Sequence, residues 1–90
     1  MPSSYRFVVT GRVQGVGFRY AAQGKALFLG LCGWVRNRSD GAVEGAVSGA
    51  GPELQQFRDW LAHGPPAAAV GRVEWSASSD ETGEGFLVLR

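Results

Sequence analysis

Between Gly11 and Arg19 the chain reads GRVQGVGFR, three glycines spaced through a short segment that closes on an arginine. Glycine has no Cβ to hold the backbone in its usual region, so neighbouring N–H groups can turn inward around an anion. Arg19 can add a bidentate guanidinium clamp to the same anion, and it keeps its charge at any physiological pH. The chemistry these types suit is phosphate binding. A second reading fits the same residues: the glycines serve only a tight connection, and Arg19 sits on a solvated face. Two other phosphate loops are excluded. A GxxxxGK[ST] loop needs a hydroxyl after its lysine, and Gly24-Lys25-Ala26 has none. A dinucleotide fingerprint counted from Gly15 and Gly17 needs a third glycine where Tyr20 stands.

The elements around this segment must present it. Tyr5, Phe7 and Val9 alternate with Arg6, Val8 and Thr10, which predicts a strand over residues 5–10. After the glycine-punctuated stretch, Phe18, Ala22, Ala26 and Leu29 recur at helical spacing. The loop therefore opens a helix, whose first N–H groups lack partners and whose dipole end is positive, again favourable to an anion. Gly24 weakens that helix by roughly 1 kcal/mol relative to alanine, and Gly30 suits a left-handed cap after Leu29. CGWVRN over 32–37 and AVEGAVS over 42–48 flank Arg38, Ser39, Asp40 and Gly41, and the Asp-Gly pair predicts an antiparallel hairpin. Pro52 opens a second helix with Leu54, Phe57 and Leu61 as its apolar stripe, stopped by Gly64, Pro65 and Pro66. Val70, Val73, Trp75 and Ala77 predict a fourth strand, and Phe86 to Leu89 a short last one beyond the polar turn Asp80 to Gly85.

The order is β-α-β-β-α-β with an additional short C-terminal strand. Two helices cannot cover both faces of a sheet in so short a chain, so the expected architecture is α+β: an antiparallel sheet with both helices on one face, a ferredoxin-like sandwich. That architecture hosts enzymes, RNA binders and regulatory modules alike, so it decides no function.

Composition narrows the classes. Ninety residues make one domain, 1–90, and 44% apolar with 19% charged residues describe an ordinary globule. A net charge of +1 gives no broad positive field for nucleic acid or anionic lipid. Cys32, the one cysteine, permits neither an intrachain disulfide nor, by itself, a metal site, and a reducing cytoplasm is the expected compartment. No run of eighteen apolar residues and no signal-like amino terminus occurs, so neither membrane spanning nor secretion is expected.

The residues also resemble a family. GRVQGVGFR is similar to the acylphosphatase signature GxVQGVxFR, and CGWVRNRSDGAVEG resembles that family's second block, GWVRN followed by a turn, DG and a strand. The resemblance spans essentially the whole chain, including LGL before the second block. It implies hydrolysis of the carboxyl–phosphate anhydride of acyl phosphates. It implies further that Gln14, Gly15, Val16, Gly17, Phe18 and Arg19 bind phosphate, and that Asn37 positions the attacking water. The sequence departs at Arg38, where many animal members carry threonine, and in a short tail ending in Arg90 without their terminal tyrosine.

Elementary chemistry is consistent with that implication. A carboxylate is a weakly basic leaving group and needs little protonation, so a site without His, Cys or paired carboxylates can suffice if it positions and stabilises the phosphoryl oxygens. No cofactor or metal is expected. The expected partners are a small acyl phosphate and the product phosphate, with no nucleic acid and no membrane, and the expected state is a monomer. Without the resemblance Asn37 reads as a turn residue before a hairpin. His63 reads as a helix-end or solvent-facing cation, Cys32 as a packed, inert thiol, and Trp34, Trp60 and Trp75 as packing residues of sheet and helix. The rival class is an RNA-recognition or regulatory module, with GVGFRY a poor echo of an RNA-binding aromatic strand because it opens a helix here. A domain serving within a larger carbamoyl-transfer protein is a further rival, against which the chain's start and end argue.

Overall fold

The computed structural model describes residues 3–79 and 82–90. Its elements are β1 (Ser3–Arg12), α1 (Phe18–Phe28), β2 (Cys32–Asn37), β3 (Val43–Gly49), α2 (Gly51–Leu61), β4 (Ala69–Ala77) and β5 (Phe86–Val88), in the order expected. They build one five-stranded sheet in the order β4-β1-β3-β2-β5. The predicted polar turn begins at Asp80, and Asp80 and Glu81 lie outside the described residues.

Strand alternation decides which face is buried. On β1 it sends Phe7 and Val9 inward, and their partners on β3 and β2 are Gly45, Val43 and Val35. Against that face α1 lays Phe18, Ala22 and Ala26, four residues apart, while α2 lays Leu54, Phe57 and Leu61. Both helices therefore cover one face, as the apolar stripes require. Alanines on α1 let its backbone approach the sheet. Phe57 fills the centre, with its ring edge-on to Phe7 at 5.7 Å and to Phe86 at 5.9 Å between centroids. The helix ends where expected: Leu29 is the cap and Gly30 adopts φ +72°.

The expectation of an antiparallel sheet holds for β4, β1, β3 and β2, but β5 pairs with β2 in parallel, with Gly33, Trp34 and Val35 opposite Phe86, Leu87 and Val88. The reason lies in the connection. β4 occupies one edge, and the chain must reach the other edge across the end of the sheet. It does so strand by strand: Ser78 N–H donates to Ser4 O on β1, Thr82 bonds Ser48 on β3, and Gly33 N–H of β2 donates to Gly85 O. After that crossing the chain can only turn back up the sheet, alongside β2 in the same direction.

Trp60 and Trp75 pack against the core, but Trp34 does not. It stands on the helix-free face opposite Ala46, with the Arg6 and Arg36 guanidiniums over its ring at 5.2 and 5.3 Å. The period of the strand explains this, since Gly33 and Val35 take the inward positions.

Candidate active site

The segment between β1 and α1 is held from both ends. Val13 and Phe18, each 1% exposed, sink into the core and leave residues 14–17 to arch between them. Gly15 and Gly17 take φ +74° and +77°, values that cost a residue with a Cβ roughly 1–2 kcal/mol. Gly17 is the cap of α1 and no side chain caps the helix, whose first internal bond runs from Ala21 N–H to Gly17 O. The N–H groups just ahead of Ala21 are thus left without intrahelical partners.

Gln14 behaves differently from its neighbours. Its amide nitrogen donates to Arg38 O at 2.7 Å and to Ala42 O at 3.0 Å, which commits both of its hydrogens. Its side chain is therefore a strut from the loop to the β2–β3 hairpin, and only its backbone remains to meet an anion. The hairpin is itself closed by Arg38 N–H to Ala42 O and by Ala42 N–H to Asp40 Oδ1. Asn37, the last residue of β2, is carried on the same tied unit.

A cleft of about 120 Å³ results, lined by Val13, Gly15, Gly17, Phe18, Arg19, Tyr20 and Asn37. The structure thus brings the glycines, Arg19 and Asn37 together. Nothing among the described residues hydrogen-bonds the Asn37 amide. Arg19 is aimed by a residue far along the chain: its Nη1 donates to Leu89 O at 2.8 Å, just beyond β5, and its guanidinium lies 5.9 Å from the Tyr20 ring centroid. Gln23, one turn further along α1, donates to Phe86 O in the same way. Sequence reasoning missed both contacts, and no residue type signals them, because each acceptor is a backbone carbonyl. A separate hollow of about 140 Å³ between Tyr5, Leu54, Arg58 and Trp75 lies at the opposite end of β1.

Phe18 is buried, so the GVGFRY segment has no Phe18 ring for a base to stack on. Among the described residues no three of His, Cys, Asp and Glu gather as metal ligands. No helix is long and apolar enough to cross a membrane. His63 stands exposed at the end of α2 with Nδ1 at 2.9 Å from Asp59 O, and Cys32 is half-buried.

Comparison with known proteins gives the family and the fold. The acylphosphatase family model matches residues 5–88, which include the loop, Arg19 and Asn37. The chain belongs to the acylphosphatase family. An acylphosphatase of Alkalilimnicola ehrlichii is 47% identical over 89 residues, covering 99% of this chain and all of that one. Another, of Mannheimia succiniciproducens, is 54% identical over 69 residues, 77% of each chain. The crystal structure of acylphosphatase from Bacillus subtilis superposes with a TM-score of 0.92 at 40% identity, over the full length of both. Acylphosphatases are hydrolases acting on acid anhydrides, and this chain carries their fold.

Proposed function

We infer that this acylphosphatase hydrolyses acyl phosphates to a carboxylate and inorganic phosphate in the cleft between the Gln14–Phe18 loop and Asn37. The observation that carries the reading is the convergence of Arg19, the glycine loop and an uncommitted Asn37 amide on one small cleft. At about 120 Å³ it is smaller than the ~300 Å³ at which pockets begin to enclose a drug-sized ligand, so it suits a phosphoryl group with the acyl half outside.

In this reading the phosphoryl oxygens accept from the loop N–H groups and from Arg19, whose remaining donors stay available beside the bond to Leu89 O. Asn37 holds the water that attacks phosphorus. The P–O bond to the acyl oxygen breaks, the carboxylate leaves with the bonding pair, and a phosphoryl oxygen of the substrate takes the water's proton, since an amide is too weak a base to do so. In this reading the domain acts as a monomer in the cytoplasm, without nucleic-acid or membrane partners.

The direct test is hydrolysis of a simple acyl phosphate with and without exhaustive chelation. The rate should be the same, because the site residues offer a guanidinium, an amide and backbone N–H groups, not hard or soft metal ligands. Loss of activity on chelation, restored by one metal, would overturn Arg19 as the principal cation.

A further inference from the structure

Beside the phosphate cleft, and sharing Asn37 with it, lies an open concavity of about 310 Å³, lined by Arg36, Asn37, Arg38, Asp40, Glu44 and Arg90. Asn37 lines both hollows, so the two are neighbours at that residue and an acyl group projecting on its side of the small cleft would lie toward this one. Its side chains include three guanidiniums and two carboxylates, and Arg90, the last residue of the sequence, brings its α-carboxylate as well, so what matters is how far each cation is already paired. Arg36 is bound through Nε by Glu44. Arg38 is only partly matched: Nη2 reaches Asp40 Oδ2 at 2.8 Å, while Nη1 lies 3.9 Å from Glu44 Oε1, beyond hydrogen-bonding distance. No ion pair involves Arg90 among the described residues.

The backbone of Arg38 is fixed although its side chain is 38% exposed. Its N–H donates to Ala42 O, and its carbonyl accepts from Gly41 N–H and from Gln14 of the phosphate loop. The Arg38 backbone is thus held at a set offset from the cleft, and its guanidinium, tethered by Asp40, has N–H groups to spare. We propose that this concavity is an acyl-group subsite favouring acyl phosphates that carry a second anionic group, a carboxylate or a phosphate, on the acyl part. Arg38 is its specificity-determining cation. The proposal rests on the reading of Arg19 and Asn37 as the phosphate and water site.

The experiment compares kcat/KM for 3- and 4-carboxybenzoyl phosphate with that for 4-methylbenzoyl phosphate, whose ring keeps size and rigidity and lacks the charge. Because one ratio is read within each preparation, partial loss of folded enzyme cancels. Arg38→Gln should lower the carboxy-to-methyl ratio about fivefold for at least one isomer, the upper end for an exposed ion pair, and added salt should do the same to the wild type. Asp40→Asn, which keeps an acceptor for Ala42 N–H while freeing Arg38, should raise it. A ratio unmoved by Arg38→Gln for both isomers overturns the subsite while leaving the underlying site intact, provided Arg19→Ala loses all three substrates alike. An Arg19→Ala enzyme that keeps all three rates removes the underlying site and this inference with it.

Discussion

In the proposed mechanism Arg19 and Asn37 face the same cleft with different jobs, and substitution should separate them. A guanidinium clamp acts on phosphate in the ground state and in the transition state, so Arg19→Ala should weaken phosphate binding about 10- to 100-fold and lose turnover as well. Asn37→Ala should leave phosphate affinity largely intact while kcat falls on the order of 10²-fold. Phosphate titration, steady-state kinetics and circular dichroism on the same preparations decide it; a folded Asn37→Ala enzyme with wild-type kcat returns Asn37 to a turn residue. Gln14 illustrates what residue types can and cannot tell. Its place in the loop was legible, but the direction of its side chain was not, because the carbonyls it reaches lie 24 and 28 residues away. Gln14→Ala removes two bonds from carbonyls that keep other partners, Gly41 N–H on Arg38 O and Arg38 N–H on Ala42 O. Thermal unfolding should therefore register a loss of about 1–2 kcal/mol, and kcat should fall because loop and hairpin are no longer tied.

Among the elements, the helices, β1 and β4 were legible from their apolar periods, and β2 and β3 from the Asp-Gly turn between them. β5 is three residues long, too short to show a period that fixes its direction, and its parallel pairing follows from β4 ending at the end of the sheet where β2 begins. That pairing has a consequence at the site. It carries the chain past β2 so that Leu89 N–H bonds Val35 O and Leu89 O meets Arg19. The tail thus orients the guanidinium by a contact spanning 70 positions, which a pattern of residue types cannot reveal. Ending the chain after Val88 should cost about tenfold in kcat/KM, the equivalent of one hydrogen bond to a charged group. The same truncation made in Arg19→Ala should cost less than in the wild type, since the bond between Arg19 and Leu89 O is already gone and only the other contacts of the tail, such as Leu89 N–H to Val35 O, remain to be lost. Equal losses in both backgrounds would show that the tail acts by some other route.

For the molecule as a whole, the site exists only when the fold does. Gly15, Arg19, Asn37 and Leu89 come from the β1–α1 loop, the helix it opens, a strand end and the tail, and an unfolded chain does not hold the loop, the strand end and the tail together. Phosphate should therefore bind the native state alone and stabilise it. At a hundred times its Kd that linkage contributes about 2.7 kcal/mol. For a domain of this size each kcal/mol moves Tm by roughly 4–8 °C, so saturating phosphate should raise Tm by about 10–20 °C. Sulfate, also a tetrahedral anion, should behave similarly. If the stabilising site is the catalytic one, phosphate must inhibit acyl phosphate hydrolysis competitively, with an inhibition constant matching the Kd that the thermal shift gives. Arg19→Ala should lower both effects together, and Asn37→Ala should leave the shift nearly whole. A large shift accompanied by purely non-competitive inhibition would place the anion elsewhere, and no shift at saturating phosphate would leave the loop a mere connection between β1 and α1.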